Sequence, residues 1–224
     1  MLAEYPGNVL VFLHGSGVTA FGMEKLLAKC VESPPFPVVL PSAPMQTYRS
    51  FIFYFESKRD VPYRFDGSVQ PIWHQRIELD IQGKHEDIDG LNHMAEELHQ
   101  LISRVKEHCV GKVVLGGFSM GAHTALHAVY RSGVEVDACL ALSSYLIRSS
   151  AVYRILDEQT IRNNPPLLVS HGLSDVTVPP TWSEETVSEL QKRGLAVNLK
   201  LYEGLGHRPG DEMVSDAFSW IQSL

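Results

Sequence analysis

The sequence predicts an α/β fold, with a mostly parallel central sheet and helices on both faces. Two observations carry this. Short continuous apolar runs of strand length alternate with longer stretches of helical period, which implies right-handed crossovers and strands buried on both faces. The chain is also 224 residues long, 44% hydrophobic and 20% charged, the balance of one ordinary globular domain. A single domain over residues 1–224 is therefore expected.

In chain order, Asn8 to Leu13 (NVLVFL) reads as a strand and Phe21 to Val31 as a helix, broken by Ser33-Pro34-Pro35. Val38-Val39-Leu40 is a short strand closed by Pro41 and Pro44. From Met45 to Ile72 no period holds, and this aromatic-rich segment reads as an irregular insertion at about 45–72. A loop this long in a compact domain is usually functional or hides irregular structure. Order returns at Glu86 to His108, where Ile88, Leu91, Ala95, Leu98, Ile102 and Val105 form one helical stripe. Lys112 to Gly117 is a strand, Met120 to Arg131 a helix, and Asp137 to Leu142 a strand. The strand Pro166 to His171, the helix Thr181 to Arg193, the strand Val197 to Tyr202 and the helix Glu212 to Leu224 complete the pattern.

Composition removes several classes of function. A net charge of -7 leaves no basic footprint for a nucleic-acid partner. Cys30, Cys109 and Cys139 are odd in number and widely spaced, so they read as small buried hydrophobes in a reducing compartment. No apolar run approaches the ~18 residues of a transmembrane span. Glu4 stands where a signal peptide needs positive charge. Leu2 and the terminal IQSL encode neither myristoylation nor prenylation. The expected compartment is the cytoplasm.

In parallel sheets, reactive groups collect beyond the C-terminal ends of the strands. Gly117-Phe118-Ser119-Met120-Gly121 lies there, between a strand and a helix, which is the context of a nucleophile elbow. The turn strains the serine backbone and needs glycines on both sides. It also exposes Oγ at a helix N-terminus, where the dipole favours negative charge. A serine hydroxyl needs a base, and the base needs an orienting acid. In such folds the chain order is serine, acid, histidine. Asp175 follows the strand PLLVSH directly. Asp157 and Glu158 lie away from any strand end, Asp137 begins a strand, and Glu203 belongs to the strand that leads to the histidine. His207 is the one histidine after Asp175 and follows the strand NLKLY. Ser119, Asp175 and His207 are thus the expected catalytic residues. The expected oxyanion donors are the backbone N–H groups of Met120 and of Ser16, the latter in the His14-Gly15-Ser16-Gly17 loop.

Other features read as structure. His123 and His127 stand four apart, a spacing that suits a metal. However, Thr124 replaces the glutamate of a zincin and the helix is expected to be buried, so packing is the reading. His93 and His99 ride a solvated helix face, and Glu184-Glu185 suits a helix start. There is no P-loop and no G-x-G-x-x-G after a strand. No cofactor and no metal are expected.

With FLHGSG (Phe12–Gly17), LPSAP (Leu40–Pro44), GGFSMGA (Gly116–Ala122), LALSSYL (Leu140–Leu146), SHGLSDVTVP (Ser170–Pro179) and GLGH (Gly204–His207) in view, the chain resembles the acyl-protein thioesterase/lysophospholipase family of α/β-hydrolases. The resemblance spans nearly the whole chain. HGSG, Met120 and SSAVYRIL (Ser149–Leu156) are most similar to the lysophospholipase-like branch, since the main thioesterases usually carry glutamine after the nucleophile. It implies an α/β-hydrolase fold, with Ser119, Asp175 and His207 as triad and the Ser16 and Met120 amides as oxyanion hole. Two departures stand out. Relatives usually have more chain before the H-G loop, and Trp73-His74-Gln75 stands where the family commonly has tryptophan, an aromatic and aspartate.

The expectation is a serine hydrolase that cleaves carboxylic esters or thioesters through an acyl-enzyme and favours short to medium acyl chains. Its partner is an acyl substrate, either an acylated protein or a lysophospholipid. The alternatives are an acyl-binding pseudoenzyme and a peptidase on the same scaffold. Phe51, Phe53, Tyr54 and Phe55 crowd the insertion. Either they pack a satellite core or, with Trp73 and Trp182, some of them wall the acyl pocket.

Overall fold

The computed structural model describes residues 5–48, 68–76, 80–158 and 163–224. The first half of the chain runs β1 (Val9–Leu13), α1 (Ala20–Cys30), β2 (Val38–Val39), β3 (Met45–Thr47), β4 (Val69–Pro71) and α2 (Ile88–Lys106). The second half runs β5 (Val113–Phe118), α3 (Met120–Leu126), β6 (Ala138–Leu142), α4 (Ala151–Glu158), β7 (Leu167–Gly172), α5 (Pro180–Lys192), β8 (Val197–Tyr202) and α6 (Asp211–Gln222).

Six strands form one sheet in the order β2-β1-β5-β6-β7-β8, and every neighbouring pair is parallel. All six C-terminal ends therefore lie along one edge. Side chains alternate across the pleat, and the core splits accordingly. Val11, Leu13, Val113, Leu115, Cys139, Ala141, Leu167 and Val169 pack with α2 to α5 on one face. Leu10, Phe12, Val114, Leu140, Leu142 and Leu168 pack with α1 and α6 on the other. Because both faces are covered, β1, β5, β6 and β7 are buried at every position. This is why they read as unbroken apolar runs rather than alternating ones.

Helix starts follow local chemistry. Thr19 caps α1 by accepting from the Gly22 N–H at 3.1 Å. Asp87 caps α2 by accepting from Gly90 at 3.0 Å, and Pro180 occupies the first position of α5.

Three parts of the chain differ from the expectation, one of them helix α4 (Ala151–Glu158), which is not among the elements read from period. The segment read as wholly irregular has ordered ends: β3 and β4 pair antiparallel, Met45 opposite Pro71 and Thr47 opposite Val69. Three residues per strand are too few to show a period. Residues 49–67 and 77–79 lie outside the described residues. The helix expected from Met120 to Arg131 is α-helical to Leu126 and continues as a π-helical turn from His127 to Arg131. Its winding is tied to side-chain bonds between those two residues, described below.

Phe218 of α6 is buried and meets Phe36, ahead of β2, with ring centroids 5.1 Å apart. Phe218→Ala should therefore destabilise the protein by about 3–5 kcal/mol in urea titration. The exposed neighbour substitution Ser219→Ala should stay within about 0.5 kcal/mol. Equal effects would mean that α6 is not anchored through this pair.

Candidate active site

Four loops leave the sheet at its C-terminal edge and meet there: those after β1, β5, β7 and β8. The turn after β5 puts Ser119 at φ 53°, ψ −116°, a strained conformation for a residue with a side chain. It is held by the Ser119 N–H, which donates to the Leu142 carbonyl at 2.9 Å, and by the His123 N–H, which donates to the Ser119 carbonyl at 3.1 Å. The flanking glycines are steric necessities. A Cβ on Gly121 would lie 2.3 Å from the Leu13 carbonyl oxygen and 2.6 Å from that of His14. One on Gly117 would lie 2.4 Å from the Gly121 carbonyl carbon. Helix α3 thus starts in direct contact with the end of β1.

Ser119, His207 and Asp175 come together across 88 and 32 residues of sequence. The Asp175 carboxylate only accepts, so His207 Nδ1 carries the hydrogen and donates to Oδ2 at 2.7 Å. That leaves His207 Nε2 to accept from the Ser119 hydroxyl at 3.1 Å. The His207 ring rests on Phe118, with centroids 4.9 Å apart.

Asp175 is itself held on both oxygens. Oδ1 accepts from the Thr177 and Val178 N–H groups, each at 2.9 Å. Oδ2 accepts a second ring donor, His171 Nε2, at 3.1 Å. The same Nε2 also faces the Val178 carbonyl at 2.9 Å, which fixes the hydrogen on it. Burial pushes the Asp175 carboxyl up, but the bonds from His171 and His207, the charge of His207 and the Val178 N–H outweigh it. They hold the carboxyl well below the usual carboxylate range. The expectation from sequence contained Asp175 and His207 but not His171, which sits inside β7 with no exposed surface. Its only sequence signal is the four-residue step to Asp175.

The loop after β1 is built around His14. Its buried Nδ1 donates to the Gly15 carbonyl at 2.8 Å, and its Nε2 accepts from the Ala43 N–H at 3.0 Å. Burial lowers its pKa against the raising effect of the Gly15 bond.

A family model described as phospholipase/carboxylesterase matches residues 3–224. The chain belongs to the phospholipase/carboxylesterase family. Membership of a carboxylesterase family makes it an ester-hydrolysing enzyme. It is 28% identical over 218 residues to the lysophospholipase-like protein 1 of Mus musculus, covering 95% of this chain and 84% of that protein. It is 25% identical over 228 residues to acyl-protein thioesterase 1 of Candida albicans, covering 96% and 91%. Among solved structures, Arabidopsis thaliana SOBER1 superposes with a TM-score of 0.76 at 20% identity, over 97% of this chain and 98% of that one. Zea mays acyl-protein thioesterase 2 does so with 0.74 at 24% identity, over 98% and 94%. These likenesses show an α/β-hydrolase fold.

Within this carboxylesterase frame, the residues expected to touch substrate fare differently. Phe51, Tyr54, Phe53 and Phe55 lie outside the described residues. Trp73 is 4% exposed and spends its indole N–H on the His14 carbonyl at 2.7 Å. Its observed part is to support the loop after β1 from beneath. Trp182 packs on Tyr145, centroids 4.6 Å apart, in a small cluster with Ile81, Ile147 and Val178.

The fit at α3 leads to one stability prediction. Gly121→Ala should cost about 1–3 kcal/mol or more, because the obstacles are backbone atoms that cannot rotate away. Gly206→Ala, whose Cβ would meet nothing nearer than 3.7 Å, should change stability by about 0.5 kcal/mol at most. Chemical denaturation of the two variants checks this.

A second prediction concerns acid. A folded-state value below the usual 3.8 means Asp175 contributes stability above that pH and loses it as the pH falls further. Asp175→Asn should therefore be less stable than the native chain at neutral pH, with the gap closing below about pH 3.8. A gap of equal size in urea titrations on both sides of that value would exclude the carboxylate charge as its cause.

Proposed function

We propose that the chain is a serine hydrolase that cleaves carboxylic esters or thioesters through an acyl-enzyme, with Ser119 as nucleophile, His207 as base and Asp175 as orienting acid. The observation that carries this reading is the unbroken Ser119–His207–Asp175 hydrogen-bond chain, 3.1 Å and 2.7 Å long in its two links. Ser119 Oγ attacks the acyl carbonyl carbon while His207 Nε2 takes its proton. The negative charge that develops on the carbonyl oxygen is met by the N–H groups of Ser16 and Met120. Met120 stands at the first position of α3, so its N–H has no partner within the helix. When the tetrahedral intermediate collapses, the alcohol or thiol departs with the proton from His207. Water then attacks the acyl-enzyme with the same imidazole as base and releases the acid. Asp175 stays ionised throughout, holds Nδ1–H and stabilises the imidazolium, and His171 positions that carboxylate.

The substrate class follows the relatives. An acyl-protein thioesterase and a lysophospholipase-like protein are among them, which supports acylated proteins or lysophospholipids as substrates. The preference for short to medium acyl chains is part of this proposal. No helix among the described residues is long and apolar enough to cross a membrane. Cys30, Cys109 and Cys139 are all free thiols, which supports a reducing compartment, the cytoplasm.

Ser119→Ala should lose labelling by a fluorophosphonate probe and lower kcat about 10³-fold or more on an aryl ester. Full labelling of that variant would move the nucleophile elsewhere. Native chain that resists the probe altogether would indicate an acyl-binding pseudoenzyme. A series of aryl esters and thioesters tests substrate choice. Turnover should rise with each methylene that fits, gaining roughly 0.8 kcal/mol apiece, and then fall before palmitoyl. A palmitoyl optimum would remove the chain-length preference, and turnover of peptides instead of esters would remove the reaction class.

A further inference from the structure

The loop that supplies the Ser16 N–H takes its shape from groups outside it, and Trp73 is one of them. A trans peptide is planar, so the Ser16 N–H points away from the Gly15 carbonyl at the other end of the same unit. Whatever fixes that carbonyl therefore aims the N–H. Two donors do so. His14 Nδ1 donates to the Gly15 oxygen at 2.8 Å, and the Val18 N–H closes a turn onto it at 3.2 Å. Gly17, the third residue of this turn, has φ +72°, the left-handed value that a type II turn requires there.

The His14 ring is held in turn by two pieces of chain. The Ala43 N–H donates to its Nε2 at 3.0 Å, which leaves the hydrogen on Nδ1 for the Gly15 carbonyl. The Trp73 indole packs against the ring, centroids 4.9 Å apart, and its Nε1–H donates to the His14 carbonyl at 2.7 Å. Rotation of an imidazole about its Cβ–Cγ bond has only a broad intrinsic preference, so the tilt of His14 is set by what touches it. Ala43 and Trp73 flank the base of the β3–β4 pair, which the Ile72 N–H closes by donating to the Pro44 carbonyl at 3.2 Å. From the same pair, the Pro71 carbonyl accepts from the Gly17 N–H at 3.1 Å.

Three hydrogen bonds from one hairpin base thus converge on residues 14–17, made by Ala43, Pro71 and Trp73. Trp73 presents almost no surface to an acyl chain, and its one polar hydrogen is spent on the His14 backbone. We propose that Trp73 is a positioning residue of the oxyanion hole: by clamping the His14 carbonyl and ring, it directs the Ser16 N–H at the oxygen of the reacting carbonyl. This rests on the serine-hydrolase reading given above. An oxyanion donor acts on charge that develops only in the transition state. Misdirecting it therefore lowers kcat and leaves KM alone, which loss of plain core packing would not do.

Two replacements test this. Trp73→Phe keeps a ring beside His14 and removes the donor. The benzothiophene analogue of tryptophan, placed at position 73 by nonsense suppression, keeps the shape and exchanges the N–H for sulfur. Fluorophosphonate labelling carried to completion counts the folded active sites, so that kcat is expressed per site. Both replacements should lower kcat on an aryl acetate roughly 10- to 100-fold, with KM within about twofold of native. A trifluoromethyl ketone, which forms a tetrahedral adduct with the serine, should lose affinity by the same factor as kcat/KM. Trp220→Phe on α6 should change none of these. Should Trp73→Phe fail to fold, the analogue decides alone. Native kcat per site in the analogue, a rise in KM alone or an unchanged ketone affinity would overturn the proposal and leave the hydrolase reading standing. A native chain inert to both probe and ester would overturn that reading and this proposal with it.

Discussion

The contact between the start of α3 and the end of β1 is the constraint on which the rest depends. Gly121 sits against the Leu13 and His14 carbonyls with no room for a Cβ, and this closeness holds Ser119 in its strained turn beside the His14 loop. The serine turn and the His14 loop are thereby parts of one packed unit rather than two loops that meet by chance. The support continues outward: the His14 ring bonds Ala43, and Trp73 bonds the His14 carbonyl. Strain at one residue persists because its surroundings leave no alternative.

Asp175 shows how a buried charge is kept. Its side chain has no exposed surface, and burial alone would favour the neutral acid. Two backbone N–H groups and two imidazole donors reverse that preference. The division of labour is chemical. The backbone donors and His171 hold one charge state and one orientation of the carboxylate, which in turn accepts from His207 Nδ1.

Helix α3 begins at the serine turn, and its next turn carries His123 into a buried stack with His74 and His127. The π-helical turn that follows lets Arg131 reach His127 Nδ1 and, through Nη1, Asn92 of α2. A π turn costs helical regularity and is common where side chains need a particular placement. Here it fixes the tautomer of His127, and His127 in turn holds Glu86.

The sequence by itself determined the layering of the sheet, because strands buried on both faces must be apolar at every position, as VLVFL and ACLAL are. It also determined which strand ends bear Ser119, Asp175 and His207, because a serine turn between strand and helix needs glycines at 117 and 121. What period reading did not deliver were the short β3–β4 pair, the two-turn helix α4 and the π-helical turn. The first two have too few residues to show a period, and the third keeps the pattern of an α-helix. Tertiary structure alone decided the partners of the buried polar groups. His171 reads as one more strand residue until the fold turns its Nε2 onto Asp175. His123 reads as a packed helix residue until Glu86 and the His74 ring come against it from other segments. Hydrogen bonds across such distances leave no period in a sequence, since each member needs only the right atom at the right place in the finished fold.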